Sequence, residues 1–161
     1  MIAFLRRLFT KPAAALSDAQ PRDAGSIATL HAAAFRRGWS DEEVEGLLID
    51  RSVIAQRACV GRSFAGFIMS RLAADEAEIL SVAVARACQG RGLARQLLTL
   101  HLRRLAGLGV HTVFLEVDEF NAPAIKLYSR AGFREVSRRP NYYPLPGGKK
   151  AAALVLRRDI G

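Results

Sequence analysis

A small-residue loop between an apolar strand and a helix is the segment of this sequence best suited to bind a phosphate group. Apolar, β-branched residues over Ile79–Val84 predict a buried strand, and apolar residues at helical spacing after the loop predict a helix ending near Gly107. Glycines let backbone N–H groups approach a ligand closely, and a helix N-terminus adds unpaired donors and partial positive charge. We therefore predict a pyrophosphate site. Its residues are Gln89, Gly90, Arg91, Gly92, Leu93, Ala94 and Arg95.

The two common phosphate-binding fingerprints do not fit this loop. A Walker loop requires Lys followed by Ser or Thr after its last glycine, whereas Ala94-Arg95-Gln96 stands here. A dinucleotide fingerprint requires a third glycine where this chain has Arg95. The order found, Gln, two residues, Gly, one residue and Ala, resembles instead the acetyl-CoA loop of the GCN5-related N-acetyltransferases, the GNAT family.

Further motifs extend this resemblance over most of the chain. Leu115–Val117, Asn121–Tyr128 and Ala131–Phe133 occur in the order and spacing of the GNAT family. The segment Arg139–Pro144, with the sequence RPNYYP, is similar to the RimI-type branch, the ribosomal-protein-alanine N-acetyltransferases. The resemblance implies the GNAT fold and acetyl-CoA as co-substrate, without a metal. It also implies a protein α-amine as substrate, that of an N-terminal alanine of a ribosomal protein.

Glu116 and Tyr128 are the candidate catalytic residues. Glu116 interrupts an apolar strand, so its carboxylate either points into a cleft or pairs with an arginine. Tyr128 follows apolar residues at helical spacing, a pattern that also suits a core aromatic residue. The resemblance implies that Glu116 accepts the proton of the amine and that Tyr128 donates a proton to the departing coenzyme A thiolate. Because a thioester is already activated, direct transfer needs no enzyme nucleophile.

The remaining predicted contacts surround a slot between two strands. The resemblance implies that the Glu116 strand diverges from Val82, Ala83 and Val84, whose backbone contacts the pantetheine arm. Asn121 stands at the start of the next helix and is expected to cap it. The resemblance implies that Asn121 binds coenzyme A instead of, or in addition to, capping the helix. Asp118 and Glu119 depart from the RimI pattern and are expected near the approach of the amine. The predicted substrate contacts, with hydrophobic packing as the alternative, are Trp39, Tyr142 and Tyr143.

Local patterns predict the elements that position these residues. Ser40 and Glu43 form the capping-box pattern at the start of one helix. Further helices are predicted over residues 24–35, from about 93 to 105, and over 122–131, the last ended by Gly132. The predicted strands are 52–60, 63–72, 75–84, 112–117, 133–138 and 151–158. The predicted fold is α/β, a mixed, mostly antiparallel sheet of about six to seven strands with helices on both faces. The resemblance adds a V-shaped splay between the central strands.

Length and composition indicate one domain after a short tail. The chain has 161 residues, the size of a single domain. We assign residues 1–16 to a basic apolar tail and residues 17–161 to the domain. The tail lacks a clear signal-peptide cleavage site. We expect it to pack on the domain or fray, with a short interfacial helix as the alternative. No segment reaches the length of a membrane span.

Net charge and cysteine content indicate which binding partners and which redox compartment suit this chain. The net charge of +9 reflects either solvated surface arginines or attraction to a polyanion, such as coenzyme A phosphates or RNA. Cys59 and Cys88 show no metal-ligand spacing and suit a reducing cytosol, so we expect a cytoplasmic protein. The histidines, 31, 101 and 111, also lack partners at ligand spacing, and we predict structural roles for them.

Two other functions remain open at this level. A GNAT enzyme could act on a lysine or on a small-molecule amine. From a different class, the chain could be a basic RNA- or ribosome-binding module with a vestigial acetyl-CoA site. We expect a monomer whose partner is a protein N-terminus, without direct nucleic-acid binding.

Overall fold

The structure, a computed structural model that describes residues 12–161, contains one seven-stranded sheet. The strands are β1 (Ala14–Asp18), β2 (Val53–Val60), β3 (Ser63–Ala73), β4 (Glu76–Val84), β5 (Thr112–Asp118), β6 (Arg134–Pro144) and β7 (Lys150–Asp159). Their order across the sheet is β1-β2-β3-β4-β5-β7-β6. In this sheet β4 and β5 are parallel, and the other neighbours are antiparallel. The predicted mixed, mostly antiparallel sheet is confirmed.

Within residues 12–161, four α-helices cover the two faces of the sheet. They are α1 (Ala24–Ala34), α2 (Asp41–Ile49), α3 (Leu93–Gly107) and α4 (Ala122–Arg130). Helices α1 and α2 pack against Phe67 and Met69 of β3, whereas α3 and α4 belong to the core that contains Ile68. Because neighbouring residues of a strand face opposite sides, the alternation along β3 separates two apolar layers. None of the helices within residues 12–161 is long and apolar enough to cross a membrane.

The predicted capping box fixes the start of α2. The Ser40 hydroxyl accepts a hydrogen bond from the Glu43 backbone N–H at 3.1 Å, and the Glu43 carboxylate accepts one from the Ser40 N–H at 2.8 Å. These bonds satisfy two donors that the first turn of a helix otherwise leaves free. The helix buries Val44 against α1 and the sheet.

His101 of α3 is a structural histidine at the centre of the α3 face. Its ring is fully buried; Nε2 lies 2.6 Å from the Ser70 hydroxyl of β3, and Nδ1 is hydrogen-bonded to Gln56 of β2. Burial lowers the pKa of His101 to about 4, so the ring is neutral at physiological pH. The two polar strand residues and the ring thus satisfy one another inside an apolar layer.

The ends of the sheet differ from the sequence expectation. Strand β1 pairs with β2 from Ala14 opposite Val60 to Asp18 opposite Gln56, so the predicted tail boundary at residue 16 falls inside a strand. Residues 1–11 of that tail lie outside the described part of the chain. Strand β6 continues to Pro144, beyond its predicted end at residue 138. Both additions lie at sheet edges, where backbone pairing with a neighbour outweighs weak local propensity.

Candidate active site

The loop before α3 presents unused backbone donors. Gly90 and Gly92 have φ values of +75° and +76°, a backbone conformation that glycine adopts without strain. Gly92 is the N-cap residue of α3. The first helical hydrogen bond runs from the N–H of Gln96 to the carbonyl of Gly92. Within residues 12–161 the N–H groups of residues 92–95 have no hydrogen-bond partner. Four amides at a positive helix end form a suitable anion site.

A basic cleft extends from this loop between α3 and α4. Its volume is about 1020 Å³, and it begins at Gly92. Five of its lining side chains are cationic, namely Arg95, Arg103, Lys126, Arg130 and Arg158. None of the five is ion-paired with a residue in the described part of the chain. Neither Glu116 nor Tyr128 lines the cleft, so it suits the anionic part of a ligand rather than its reacting part.

The slot implied by the resemblance lies where β4 and β5 separate. Their parallel pairing starts at Glu76 opposite Thr112 and ends at Ile79 opposite Leu115. At the same level β4 carries a bulge, because Ser70 of β3 pairs with Ile79 and Met69 pairs with Ser81, which leaves Leu80 as the additional residue. A bulge bends its strand and thereby ends pairing with a neighbour. The last five residues of β4 therefore have an edge free of β5.

The predicted pantetheine strand borders this slot. Val82 and Val84 pack towards α3, and Ala83 packs towards α1. The amide of Gln89 donates a hydrogen bond to the carbonyl of Val84 at 3.1 Å, so this side chain holds the loop against the strand end. The hydroxyl of Ser81 is buried without a hydrogen-bond partner among the residues that the structure describes. At the bulge of β4 the protein thus leaves one buried hydroxyl unsatisfied.

Glu116 and Tyr128 approach the slot from opposite faces of the sheet. Val113, Leu115 and Val117 of β5 lie in the α3–α4 core, so the alternating Glu116 faces the α1–α2 side. Tyr128 of α4 belongs to the α3–α4 core. A gap between β4 and β5 is the direct path between these two faces. The arrangement allows one ligand to enter from each side and to meet within the sheet.

Glu116 is ion-paired, which is one of the two alternatives left open by its sequence context. Its Oε1 lies 3.2 Å from Nη2 of Arg139 on β6, and its side chain is 24% exposed. Burial, followed by the nearby Glu116 carboxylate, raises the pKa of Tyr143. Tyr142 packs edge-on against Tyr143 with ring centroids 5.1 Å apart. The structure therefore brings Glu116 and the two predicted substrate tyrosines into one cluster.

Tyr128 is buried and keeps its proton over a wide pH range. Its side chain is 7% exposed and packs edge-on against Phe133, with ring centroids 5.6 Å apart. Burial raises the pKa of Tyr128 to about 12. At the start of the same helix, the Asn121 side chain accepts a hydrogen bond from the Ala124 N–H at 3.3 Å. Asn121 is therefore the helix cap, one of its two predicted roles.

Trp39 lies before α2 and packs on a buried histidine. Its ring stacks on His31 at a centroid distance of 3.9 Å, and its backbone N–H donates to His31 Nδ1 at 3.1 Å. Burial lowers the pKa of His31. Among residues 12–161 the aromatic partner of Trp39 is thus His31, rather than Tyr142 or Tyr143. Its role as a substrate contact stays a prediction.

Asp118 at the end of β5 and Glu119 directly after it both accept hydrogen bonds from the protein. Asp118 accepts a hydrogen bond from the Phe120 N–H at 2.8 Å. Glu119 accepts one from the Ala152 N–H at 2.8 Å and pairs with Arg138 at 3.1 Å. Glu119 therefore anchors the loop to β6 and β7. Asp118 lies on the Glu116 face by alternation and contributes to the raised pKa of Tyr143.

Sequence reasoning missed two residues of the site. Arg139 was considered only as the first residue of the RPNYYP segment, and its pairing with Glu116 depends on a register across three strands. Ser81 sits at a bulge that no local pattern marks. A polar residue inside an otherwise apolar strand was the available signal for Ser81.

Comparison with known proteins identifies the class to which this fold and site belong. The sequence profile of the acetyltransferase (GNAT) family matches residues 24–133, more than half of the chain. The chain belongs to the GNAT family.

Within that family, the chain is similar to [ribosomal protein bS18]-alanine N-acetyltransferases. It is 38% identical over 90 residues to the one from Haemophilus ducreyi and 40% identical over 91 residues to the one from Escherichia coli strain K12. Each match covers 56% of this chain and 62% of the relative, so the chain spans less than two thirds of the length of these relatives.

Solved structures extend the likeness to nearly the whole chain. The crystal structure of the ribosomal-protein-S18-alanine N-acetyltransferase from Escherichia coli superposes with a TM-score of 0.86 at 28% identity. It covers 92% of this chain and 95% of that chain. The Arabidopsis thaliana NAA60 structure in complex with acetyl-CoA has a TM-score of 0.79 at 21% identity and covers 92% of this chain and 99% of that chain. The second likeness supports the fold alone.

Proposed function

We propose that this chain transfers the acetyl group of acetyl-CoA to the α-amine of a protein N-terminus, namely an N-terminal alanine of a ribosomal protein of the bS18 type. The observation that carries the proposal is the slot between β4 and β5, with Glu116 on one face and Tyr128 on the other. The similarity to bS18-alanine N-acetyltransferases supports the choice of substrate. We place the activity in the cytoplasm and assign it to one domain that includes β1.

The residues around the slot fit acetyl-CoA. The free amides of residues 92–95 and the basic cleft suit its phosphates, since both supply fixed positive charge. The open edge of Val82–Val84 offers backbone groups to an amide-containing arm, as a neighbouring strand would. When bound, acetyl-CoA supplies an activated thioester. The proposed cofactor contacts are those of the sequence prediction, the loop residues 89–95, Val82–Val84 and Asn121.

Glu116 is the proposed proton acceptor. An α-amino group has a pKa near 8 and is mostly charged at neutral pH, so it must lose a proton before it can attack a carbonyl. Two acidic residues of β5, Glu116 and Asp118, lie on the substrate face near Tyr143. Of these, Glu116 directly follows Leu115, the last residue of β5 that pairs with β4, and so lies at the slot. A carboxylate there first attracts the ammonium group and then takes its proton, either directly or through one water molecule.

Tyr128 is the proposed donor to the departing sulfur, from the other face. With a pKa of about 12 the hydroxyl is protonated at any physiological pH. A thiol ordinarily has a pKa near 8.5, so complete transfer of the Tyr128 proton to a thiolate is uphill. The hydroxyl therefore stabilises the developing negative charge by donating a hydrogen bond, and the final proton comes from solvent or from the amine.

An α-amine suits this site better than a lysine side chain does. Its pKa is about 2.5 units lower than that of a lysine, so a modest base suffices to deprotonate it. Tyr142 and Tyr143, with Trp39 as a further predicted contact, would hold the first residues of the peptide. A lysine or small-molecule acceptor is the alternative within the family.

A panel of short peptides tests the proposal. Four peptides are assayed with acetyl-CoA, namely alanine-first, serine-first, methionine-first, and N-terminally blocked with an internal lysine. We expect the alanine-first peptide to be acetylated with the highest kcat/KM and the blocked peptide to be inert. Preferential acetylation of the blocked peptide would assign the enzyme to lysine. Inactivity on all four would overturn the proposal and leave a small-molecule acceptor or the RNA- or ribosome-binding alternative. A proteome-wide comparison of N-terminal acetylation with and without the protein identifies the natural substrate.

A further inference from the structure

Two alanines of β7 allow side chains of β6 to reach β5. Strand β7 lies between β5 and β6, and its residue Ala153 is opposite both Asp118 of β5 and Arg139 of β6. Ala151 lies opposite Tyr143 on the same face of β7, since residues two apart share a face. Both alanines are fully buried. Larger residues there would separate β6 from the acidic face of β5, whereas methyl groups let the Arg139 guanidinium extend over the sheet to Glu116.

Strand β6 is irregular directly after Arg139. Between Arg139 and Tyr143 it advances four residues while β7 advances two, from Ala153 to Ala151. The bulge contains Asn141 with φ +55°, a conformation that asparagine tolerates better than most residues. Through this bulge Tyr142 returns beside Arg139, whose guanidinium carbon lies 5.7 Å from the Tyr142 ring centroid. Arg139 thus contacts both the carboxylate and the ring of a predicted substrate-binding residue.

In this cluster the Arg139 guanidinium occupies the position that the ammonium group of a bound substrate would take. A protonated amine at the proposed site would place its positive charge next to Glu116, beside the aromatic rings of Tyr142 and Tyr143. Arg139 already places a cation there, 3.2 Å from the carboxylate and against the Tyr142 ring. Its side chain is 59% exposed, so water can accept the guanidinium when it leaves. Arg139 and the amine therefore compete for one carboxylate.

We propose that Arg139 is a placeholder for the substrate's α-ammonium and is displaced when the peptide binds. This inference rests on the proposed function. In the free enzyme Arg139 neutralises Glu116 and covers one face of Tyr142. Arrival of the amine moves the guanidinium into solvent, frees the tyrosine ring for the peptide and leaves Glu116 beside the proton that it must accept. Anything without a cation fails to release Arg139, so the pair also selects charged amines.

The surroundings of Glu116 contain few other charges that could take this role. On β5 the neighbour on the same face is Asp118, an anion. On β7 the facing residues are Val155 and Ala153, and on β4 the open edge is uncharged. On β6 the titratable groups beside this cluster are Tyr142 and Tyr143. The other charged residues of β6 have different partners, since Arg134 pairs with Asp159 and Arg138 pairs with Glu119 and Glu135. Within residues 12–161 the cation paired with Glu116 is Arg139.

The test is the Arg139→Gln variant, assayed for kcat and KM with the alanine-first peptide. Because the amine no longer competes with the guanidinium, we expect KM to fall about two- to fivefold, the range for loss of an exposed ion pair, with little change in kcat. Arg139→Lys should restore the higher KM. Calorimetric titration of the peptide into the coenzyme A complex, which has no acetyl group to transfer, should show the same gain in affinity.

Arg138→Gln is the matched control. It removes the same charge one residue away, but Arg138 pairs with Glu119 and Glu135 instead of Glu116. Its KM should match that of the wild type, which separates the pair from the general effect of net charge. In a Glu116→Gln background, Arg139→Gln should no longer change peptide affinity.

The outcomes distinguish this inference from the proposed function. A raised or unchanged KM in Arg139→Gln, with the wild type active on the alanine-first peptide, overturns the placeholder role alone. Equal gains in Arg138→Gln and Arg139→Gln overturn it too, since the cause would be net charge. Failure of the wild type to bind or acetylate any of the four peptides overturns both proposals.

Discussion

The buried ring of His101 predicts a defined loss of stability in mild acid. In the folded protein the pKa of His101 is about 4, because burial disfavours the charged ring, whereas in the unfolded chain it returns to about 6.5. Between these two values the unfolded chain binds more protons than the folded one. The free energy of unfolding therefore falls as pH decreases, and this contribution is complete above pH 6.5.

The magnitude follows from the difference between the two pKa values. Each unit corresponds to about 1.4 kcal/mol, and about 2.2 units are realised by pH 4, so His101 removes about 3 kcal/mol between pH 7 and pH 4. The total free energy of unfolding of a domain of this size is about 5–15 kcal/mol. One ring therefore accounts for a substantial part of the acid sensitivity of the fold.

Urea unfolding from pH 4 to pH 7 measures the effect. As the pH falls from 7 to 4, the free energy of unfolding of the wild type should decrease by about 3 kcal/mol more than that of His101→Gln. This difference does not depend on the stability of the variant at pH 7. His111→Gln, at an exposed ring, is the control and should keep the wild-type pH dependence. If His101→Gln does not fold, NMR titration of the His101 ring in the wild type measures its pKa directly. Equal pH dependence in wild type and variant, or a ring that titrates near pH 6.5, would refute the reasoning.

Three further predictions concern the site. Glu116→Gln should lower kcat about 100- to 10,000-fold and remove the acidic limb of the pH–rate profile, with coenzyme A affinity unchanged; a near wild-type rate at pH 7 would make the carboxylate structural. Tyr128→Phe should lower kcat without lowering Tm, and the wild-type kcat at saturating peptide should not fall up to pH 10, because the pKa of Tyr128 is about 12; an alkaline limb of kcat that disappears in the variant below that pH contradicts this. Gly92→Glu should weaken calorimetric coenzyme A affinity, whereas Gly92→Asn, which tolerates positive φ, should largely keep it.

Helix boundaries were predictable because the residues that determine them are local. Ser40 and Glu43 bond to each other within the first turn of α2, and Gly132, with φ +87°, ends α4 as predicted. The strands flanking Gly61 follow in the same way from short apolar runs on either side of a tight turn. Strand β1 was not predicted, because its sequence AALSD lacks those signals. The strand forms through its backbone pairing with β2.

The site was only partly predictable, because its chemistry depends on contacts between strands. The face on which Glu116 lies follows from alternation along β5, and the burial of Tyr128 follows from its helical neighbours. The partner of Glu116 does not, since it requires the order of β5, β7 and β6 and the small size of Ala153. The bulge at Leu80 depends on the register between β3 and β4, which no local pattern encodes.

The short pairing between β4 and β5 has a consequence for the stability of the fold. Four residue pairs, from Glu76–Thr112 to Ile79–Leu115, join the two halves of the sheet. A ligand lying in the proposed slot would add contacts between the two halves beyond these four pairs. By mass action, a ligand at 100 times its dissociation constant adds about 2.7 kcal/mol to the stability of the native state. Under the proposed function, acetyl-CoA is therefore expected to stabilise the folded protein as well as to supply the acetyl group.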